Sequence, residues 1–313
     1  MKRPLLLIVF GSILGVLSLF LYIHGTQPVN AQDGSVGLSI SPVTFELSAE
    51  AGDRLIEQVK VFNPTQSPMT VRMKVEDFTA VGDEGQVALM EPDENYTYSL
   101  ARWVTVAPSE FILEAGKQQY VTVEISIPSS AEPGGHYGSI VASLSGAVQD
   151  VTGSAVGNER GSLILLRVAG NVEEALLIDT FSAPSFSEYG PIPFEIKFEN
   201  IGNVHVKPKG FVTITNMSGK EIAQLEIPER NVLPGAKRQA DLEWSETNMI
   251  GRFTATMVAN YGQGQVITDT VTFTVFPWKI ALAILAVVVI LVVLIAKMRT
   301  RFGKAMKVLT EKE

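Results

Sequence analysis

Phe253-Thr-Ala-Thr-Met-Val-Ala-Asn260, Gly262-Gln-Gly264 and Thr270-Val-Thr-Phe-Thr-Val275 belong to one continuous signal. Two alternating runs flank a glycine-marked turn, the pattern of a β-hairpin with one face on a core and the other in water. Val271, Phe273 and Val275 oppose Thr270, Thr272 and Thr274. The second strand passes through Phe276-Pro-Trp-Lys279 into Ile280–Ala296, which contains no charged, polar or helix-breaking residue. A helix over that run is about 25 Å long at 1.5 Å per residue, and its flanks extend it to bilayer thickness. In hydrocarbon every backbone amide must be satisfied within its own segment, so the run predicts a spanning helix. Trp278 suits one interface, whereas Lys297, Arg299, Arg301, Lys304 and Lys307 crowd the other. The positive-inside rule makes the second side cytoplasmic. The expectation is a single-pass cell-membrane protein: transmembrane helix 278–298, basic cytoplasmic tail 299–313, and an extracytoplasmic region before them.

The N-terminus agrees with that topology. Lys2 and Arg3 precede an apolar run from Leu5 to Ile23, and Val29-Asn30-Ala31 offers small residues for cleavage before Gln32. Residues 1–31 therefore read as a signal peptide, with an uncleaved anchor as the alternative because the run is long. Setting aside Lys2, Arg3 and the six basic and two acidic residues after Ile280 leaves 17 basic and 31 acidic residues, about −14. That balance argues against nucleic acid, which needs a basic footprint, and against anionic lipid surfaces as a partner of this region. The chain has no cysteine. Disulfides, thiol catalysis and thiolate metal sites are thereby excluded, and stability must come from core size.

Working back from the final hairpin, short alternating strands recur between Pro, Gly and Asn. Phe194, Ile196 and Phe198 alternate with Glu195, Lys197 and Glu199; Phe211–Thr215 and Glu221–Ile227 bracket Met217-Ser-Gly219; Leu242 and Trp244 follow Pro234-Gly235. Earlier in the chain, Val59 and Val61, then Val71, Met73 and Val75, then Val121, Val123, Ile125 and Ile127 show the same period of two. Gly134-Gly135-His-Tyr137 opens a strand to about Leu144, and Ser162–Val168 reads as another. Asn171–Ala175 is the expected hinge. The two halves share a layout: a strand ending in Asn (Asn63, Asn200), a Gly-marked turn (Gly116, Gly235), and a Gly opening the penultimate strand (Gly135, Gly251). The Asn-to-Gly spacings are 53 and 35, which places an insertion of about eighteen residues in the first copy, near Asp77–Leu100. The fold class is thus all-β: two tandem immunoglobulin-like β-sandwiches, 35–174 with inserts and 175–276, followed by a single C-terminal transmembrane helix.

Chemistry is sparse in this sequence. The extracytoplasmic region has two histidines, His136 and His205, in different sandwiches, so no paired-His metal site can be read. His136 sits at a strand start, where a half-exposed polar residue is ordinary. No nucleophile elbow, Ser-Lys motif or phosphate-cradling loop occurs. The carboxylates Asp83, Glu84, Glu91, Asp93 and Glu94 lack calcium-loop spacing and read as a solvated face. No catalytic, cofactor or metal site is expected, and no enzyme. Trp103 precedes an apolar alternation and reads as a core anchor. Tyr96 and Tyr98, in the irregular insert, are candidate ligand-binding residues, with a sugar-stacking platform as the chemistry. The loop Val148–Arg160 supplies two more candidates, Asn158 and Arg160, against a reading of the loop as flexible filler.

Trp103-Val-x-Val106-x-Pro108-x-x-Phe111-x-Leu113-x-x-Gly116, the strand Val121–Ile127, Pro128 and Gly134-Gly135-x-Tyr137 together resemble two related groups. One is the amino-terminal domain of periplasmic pilus chaperones. The other, covering more of the chain, is the bacterial family of WxL-interacting surface proteins. That resemblance implies a signal peptide, a peptidoglycan-binding sandwich, a second sandwich for protein partners, one spanning helix and a basic tail. The spanning helix departs from the soluble chaperones, and the chaperones' basic pair for a subunit carboxylate has no match here. Function is accordingly expected to be non-enzymatic binding at the cell surface, of peptidoglycan or another surface protein. The alternative is a membrane-tethered chaperone shielding strands of exported subunits.

Overall fold

The computed structural model describes residues 37–93, 95–144, 159–247 and 249–310, the last twelve as backbone. The signal-peptide reading of 1–31, Glu94, Asn158 and most of the loop 148–160 lie outside the described residues. Among the described residues the chain is all-β apart from one short 3-10 turn and one C-terminal helix.

The first sandwich packs two sheets face to face. One runs β1 (Ser39–Ser41), β3 (Arg54–Phe62), β8 (Gln118–Ser126), β6 (Val104–Ala107). The other runs β2 (Thr44–Ala49), β10 (Arg160–Val168), β9 (Gly134–Leu144), β4 (Met69–Val81), β5 (Gln86–Met90), with β7 (Glu110–Leu113) also paired to β4. In the second sandwich β11 (Leu176–Ser182), β13 (Ile192–Asn200), β16 (Lys237–Gln239) and β17 (Leu242–Trp244) face a sheet ordered β12 (Phe186–Ser187), β19 (Gln265–Val275), β18 (Gly251–Tyr261), β14 (Lys209–Asn216), β15 (Glu221–Glu226). The larger sheets have the same strand order. In both, the short strand at one edge lies parallel to the last strand of its sandwich, β2 to β10 and β12 to β19, while the other strand pairs named here are antiparallel.

The alternating residues meet inside. Val59, Val61, Val71, Met73, Val121, Val123 and Ile125 join Ile140, Ile164 and Leu166 in the first core. Phe194, Ile196, Phe198, Phe253 and Phe273 join Trp244 in the second. Trp244 meets Phe253 and Phe273 edge to face, with centroids 5.4 and 6.1 Å away. That geometry suits the ring quadrupoles and ties β17 to β18 and β19 across the core.

The repeat read from Asn and Gly has a physical basis. Asn63 and Asn200 are both fully buried. The Asn63 carbonyl accepts from Gly116 N at 3.0 Å and the Asn200 carbonyl from Gly235 N at 2.9 Å. Gly116 and Gly235 have φ of 66° and 70°, the left-handed region that costs a side-chain-bearing residue energy. Asn63 Nδ2 donates to the carbonyls of Ser67, Leu113 and Glu114; Asn200 Nδ2 donates to those of Val204 and Val232. Each Asn is a buried bolt between a strand end and two loops. The glycine matching Gly251 (φ 138°) is Gly134 (φ 133°) rather than Gly135. The extra length of the first copy also falls later than expected. Both copies have the hairpin β4–β5 or β14–β15, and the difference lies between β5 and Gly116, where the 3-10 turn Ala101–Trp103, β6 and β7 are found.

After β19, the helix α1 (Trp278–Thr310) begins. Its segment Trp278–Met298 is long and apolar enough to cross a membrane, and none of it is buried against the sandwiches. Lys297 lies near the end of that segment, with Arg299 and Arg301 on the turn beyond.

Candidate functional site

The sandwiches meet on the outward face of the β2–β10–β9–β4 sheet. β9 consequently has both faces covered, and its first nine residues are all buried. Outward-pointing Phe78, Tyr137 and Leu165 form a small apolar cluster with Tyr98, Leu163 and, from the second sandwich, Leu233. Polar contacts frame this junction at three places. At one side, Gly135 N donates to Asn203 O at 2.8 Å, and Tyr137 Oη lies 3.4 Å from His205 Nδ1. At the next, Glu46 accepts from Lys207 Nζ at 2.5 Å and from Asn231 Nδ2 at 2.7 Å. At the third, the β4–β5 turn docks on the second sandwich: Asp83 pairs with Lys197 at 2.9 Å, and its carbonyl accepts from Gln239 N at 2.6 Å.

Electrostatics follow from that burial. Desolvation lowers the His205 pKa to about 4, helped by the charges of Arg167 and Lys207 and opposed by Glu46. Burial raises the Tyr137 phenol above its ordinary range. The Lys207 hydrogen bond holds Glu46 below the usual carboxylate range, and Lys197 does the same for Asp83. His205 is therefore neutral at neutral pH, as its apolar seat against Tyr137 requires.

Between these contacts lies a recess of about 340 Å³. Phe78, Leu165 and Leu233 contribute apolar wall, and Arg230, Asn231 and Arg238 contribute polar groups. The Arg238 guanidinium lies where a Cβ on Gly85 would stand, so the turn at Gly85 (φ 93°) admits it only because that residue lacks a side chain. Arg238 Nε and Asn231 Oδ1 are buried without a hydrogen-bond partner. Burial, then the neighbouring Arg230 charge, lowers the Arg238 pKa. Among the described residues no carboxylate pairs with Arg230 or Arg238. Two adjacent guanidinium groups beside an apolar wall favour an anionic partner with some apolar surface.

Tyr96 and Tyr98 are half-buried and touch edge to face at 5.9 Å; Tyr96 Oη donates to Phe78 O at 3.2 Å, and Tyr98 packs on Tyr137. They pack the insert against Phe78 and Tyr137, beside the recess. Arg160 is the exposed first residue of β10. Trp103 packs against the first core and on His136, with centroids 4.4 Å apart. His136 is buried rather than half-exposed, its ring nitrogens within 3.2 Å of Ser99 O and 3.0 Å of Glu132 O. Asp83 and Glu84 are spent on Lys197 and Gln86, and among the described residues no group of three or more His, Cys, Asp and Glu surrounds a metal-sized space. Sequence reading missed Asp77, a buried carboxylate that accepts from Ser99 Oγ, Leu100 N and Ala101 N at 2.6, 2.9 and 2.8 Å. Its interruption of the β4 alternation was the available signal. The Arg230/Arg238 pair carried no signal, since both lie in a short-strand region far from Phe78 in sequence.

No family model matches the sequence, and no curated protein matches it. The likeness to WxL-interacting proteins therefore remains a resemblance of motif and layout. Among solved structures, the class 5 fimbriae chaperone CfaA is 14% identical with a TM-score of 0.40, covering 75% of this chain and 98% of its own. The Pseudomonas aeruginosa CupB2 chaperone is 10% identical with a TM-score of 0.35, covering 76% and 100%. A family 123 glycoside hydrolase from Clostridium perfringens is 16% identical with a TM-score of 0.30, covering 43% of this chain and 27% of its own. At these values the likeness carries no activity or partner to this chain, and the fold assignment rests on the strand pairing above.

Proposed function

We propose that this chain is a non-enzymatic, membrane-anchored cell-surface protein whose sandwiches bind an anionic group of the cell-wall glycan, or of another surface protein, in the recess between them. The observation that carries this reading is the Arg230/Arg238 pair, with a buried guanidinium nitrogen left without a partner beside an apolar wall. In this reading 1–31 exports the chain, 35–174 and 175–276 are the binding sandwiches, 278–298 spans the membrane, and 299–313 is cytoplasmic. Trp278 marks the outer interface, and Lys297, Arg299 and Arg301 the inner one. Tyr98, packed on the Phe78–Tyr137–Leu165 cluster beside the recess, is a secondary contact together with Tyr96, Asn158 and Arg160. Co-sedimentation of the full-length protein in detergent with insoluble peptidoglycan tests it. Retention that weakens with salt and is lost in Arg230→Ser/Arg238→Ser supports the glycan. No retention at low or physiological salt contradicts it and turns the search to surface proteins.

One observation favours the chaperone-like alternative. β2 covers β10 along Leu163–Val168, whereas β12 covers β19 only at Thr274 and Val275. Among the described residues no strand pairs with the outer edge of β19 before Thr274, which suits a donated partner strand. Protection of that edge from amide exchange by an unassembled subunit, absent with an assembled one, distinguishes this reading.

A further inference from the structure

We infer that the membrane-side end of the second sandwich is a lipid-contact platform on which the extracytoplasmic region rests at the bilayer interface. The inference rests on the reading of α1 as a spanning helix. Strand register brings three separate loops to one end of the β19–β18–β14 sheet. Gly251 pairs with Val275, so Ile250 and Phe276 are the next residues outward on neighbouring strands. Ser187 also pairs with Val275 and accepts from Phe276 N at 2.9 Å, which sets Glu188 and Tyr189 beside them. Asn216 pairs with Phe253, so the β14–β15 turn projects from the same end.

Each loop displays a large apolar side chain there. Exposures are 54% for Tyr189, 81% for Met217, 68% for Ile250, and 43% for both Phe276 and Trp278. Met217 is not on a loose tip: Asn216 Oδ1 accepts from Ser218 N, Ser218 Oγ and Lys220 N at 3.0, 2.7 and 3.0 Å, which fixes the turn. The opposite end of the sheet turns through Gly262-Gln263-Gly264 instead.

The occupant is identified by continuity with the helix. Only Phe276 and Pro277 separate β19 from α1, and Lys279 in the first helical turn pairs with Glu188 at 3.0 Å while its ammonium sits 5.6 Å from the Trp278 ring centroid. The apolar end is therefore held at the level where the helix enters hydrocarbon. Tyr and Trp with an apolar body and a polar tip are suited to that zone. Charges at this end are mixed: Lys220, Arg252 and Lys279 stand with Glu188, Glu221 and Glu246. Seating thus depends on apolar side chains and is insensitive to the anionic lipid fraction.

The absence of cysteine makes the test direct. Tyr189→Cys, Met217→Cys, Ile250→Cys, Leu285→Cys and Gln263→Cys are each made in the full chain, labelled with a fluorophore, and reconstituted into phosphatidylcholine vesicles with and without phosphatidylglycerol. Lipid-borne quenchers then report proximity to the bilayer. The expected result is loss of emission at 189, 217, 250 and 285 in both lipid mixtures, with 263 spared, since β18 sets it about 30 Å away. Quenching at 285 without quenching at 189, 217 and 250 overturns the platform and leaves the anchor standing. No quenching at 285 overturns the anchor itself, and equal quenching at 263 overturns the upright seating.

Discussion

Replacing Asn200 by alanine should destabilise the second sandwich by about 3 kcal/mol. Its Nδ2 holds the carbonyls of Val204 and Val232 at 2.8 and 2.7 Å, and its Oδ1 holds Gly202 N at 2.8 Å. Val232 O keeps its bond from Val206 N, so the substitution orphans mainly the buried Val204 O and the part-buried Gly202 N. A buried polar group left without a partner costs about 1–3 kcal/mol, and the two together reach roughly 3 kcal/mol after partial relaxation. That is a large part of the 5–15 kcal/mol or so typical of a domain. Urea unfolding of the full-length protein, followed through buried Trp244, reads the change. Asn200→Asp sharpens the test, because it keeps the acceptor for Gly202 N but turns an oxygen toward two carbonyls. It should be at least as destabilising at neutral pH and recover partly as the new carboxyl protonates. A loss below about 1 kcal/mol in both variants would refute the bolt and, with it, the shared basis of the two copies.

Three further outcomes follow from the same contacts. Asp77→Ala orphans Leu100 N and Ala101 N and should cost about 2–4 kcal/mol, with proteolytic cleavage between Glu91 and Arg102 as an independent readout. His205, with its pKa lowered to about 4 from 6.5, takes up its proton in the unfolded chain first. Stability should fall by about 1.4 kcal/mol per pH unit as pH drops from 6.5 toward 4, and His205→Asn should flatten that slope in urea titrations. Gly85→Val puts a branched side chain into the space of the Arg238 guanidinium at φ 93° and should undock the β4–β5 turn, seen as faster amide exchange at Gln239.

Much of the fold was legible because one face of most strands is wet. Phe194, Ile196 and Phe198 of β13 alternate with charged residues and all point into the core. Asn63 and Asn200 were legible as a repeat, since a buried Asn beside a left-handed glycine leaves a recurring pair of letters. β9 was harder: a second sandwich covers its outer face, so alternation vanishes, and His136 and Tyr137 are both buried. β2 and β11 are edge strands with no clean period, so alternation does not mark them in the sequence. The recess was illegible for a related reason. Its walls come from Phe78, Leu165 and the 230–238 segment, which only the docking of one sandwich on the other brings together. Tyr96 and Tyr98 drew attention by composition, yet their rings are used in packing beside that recess.

Binding in the recess is tested most directly by photo-cross-linking of the full-length protein in its own membrane, with a benzophenone side chain at Val87 on the recess wall or at Ile112 on exposed β7. An adduct with wall glycan or a surface protein is expected from Val87, disappearing in Arg230→Ser/Arg238→Ser and absent from Ile112. An adduct from Ile112 alone, or one from Val87 that survives loss of both arginines, would contradict it.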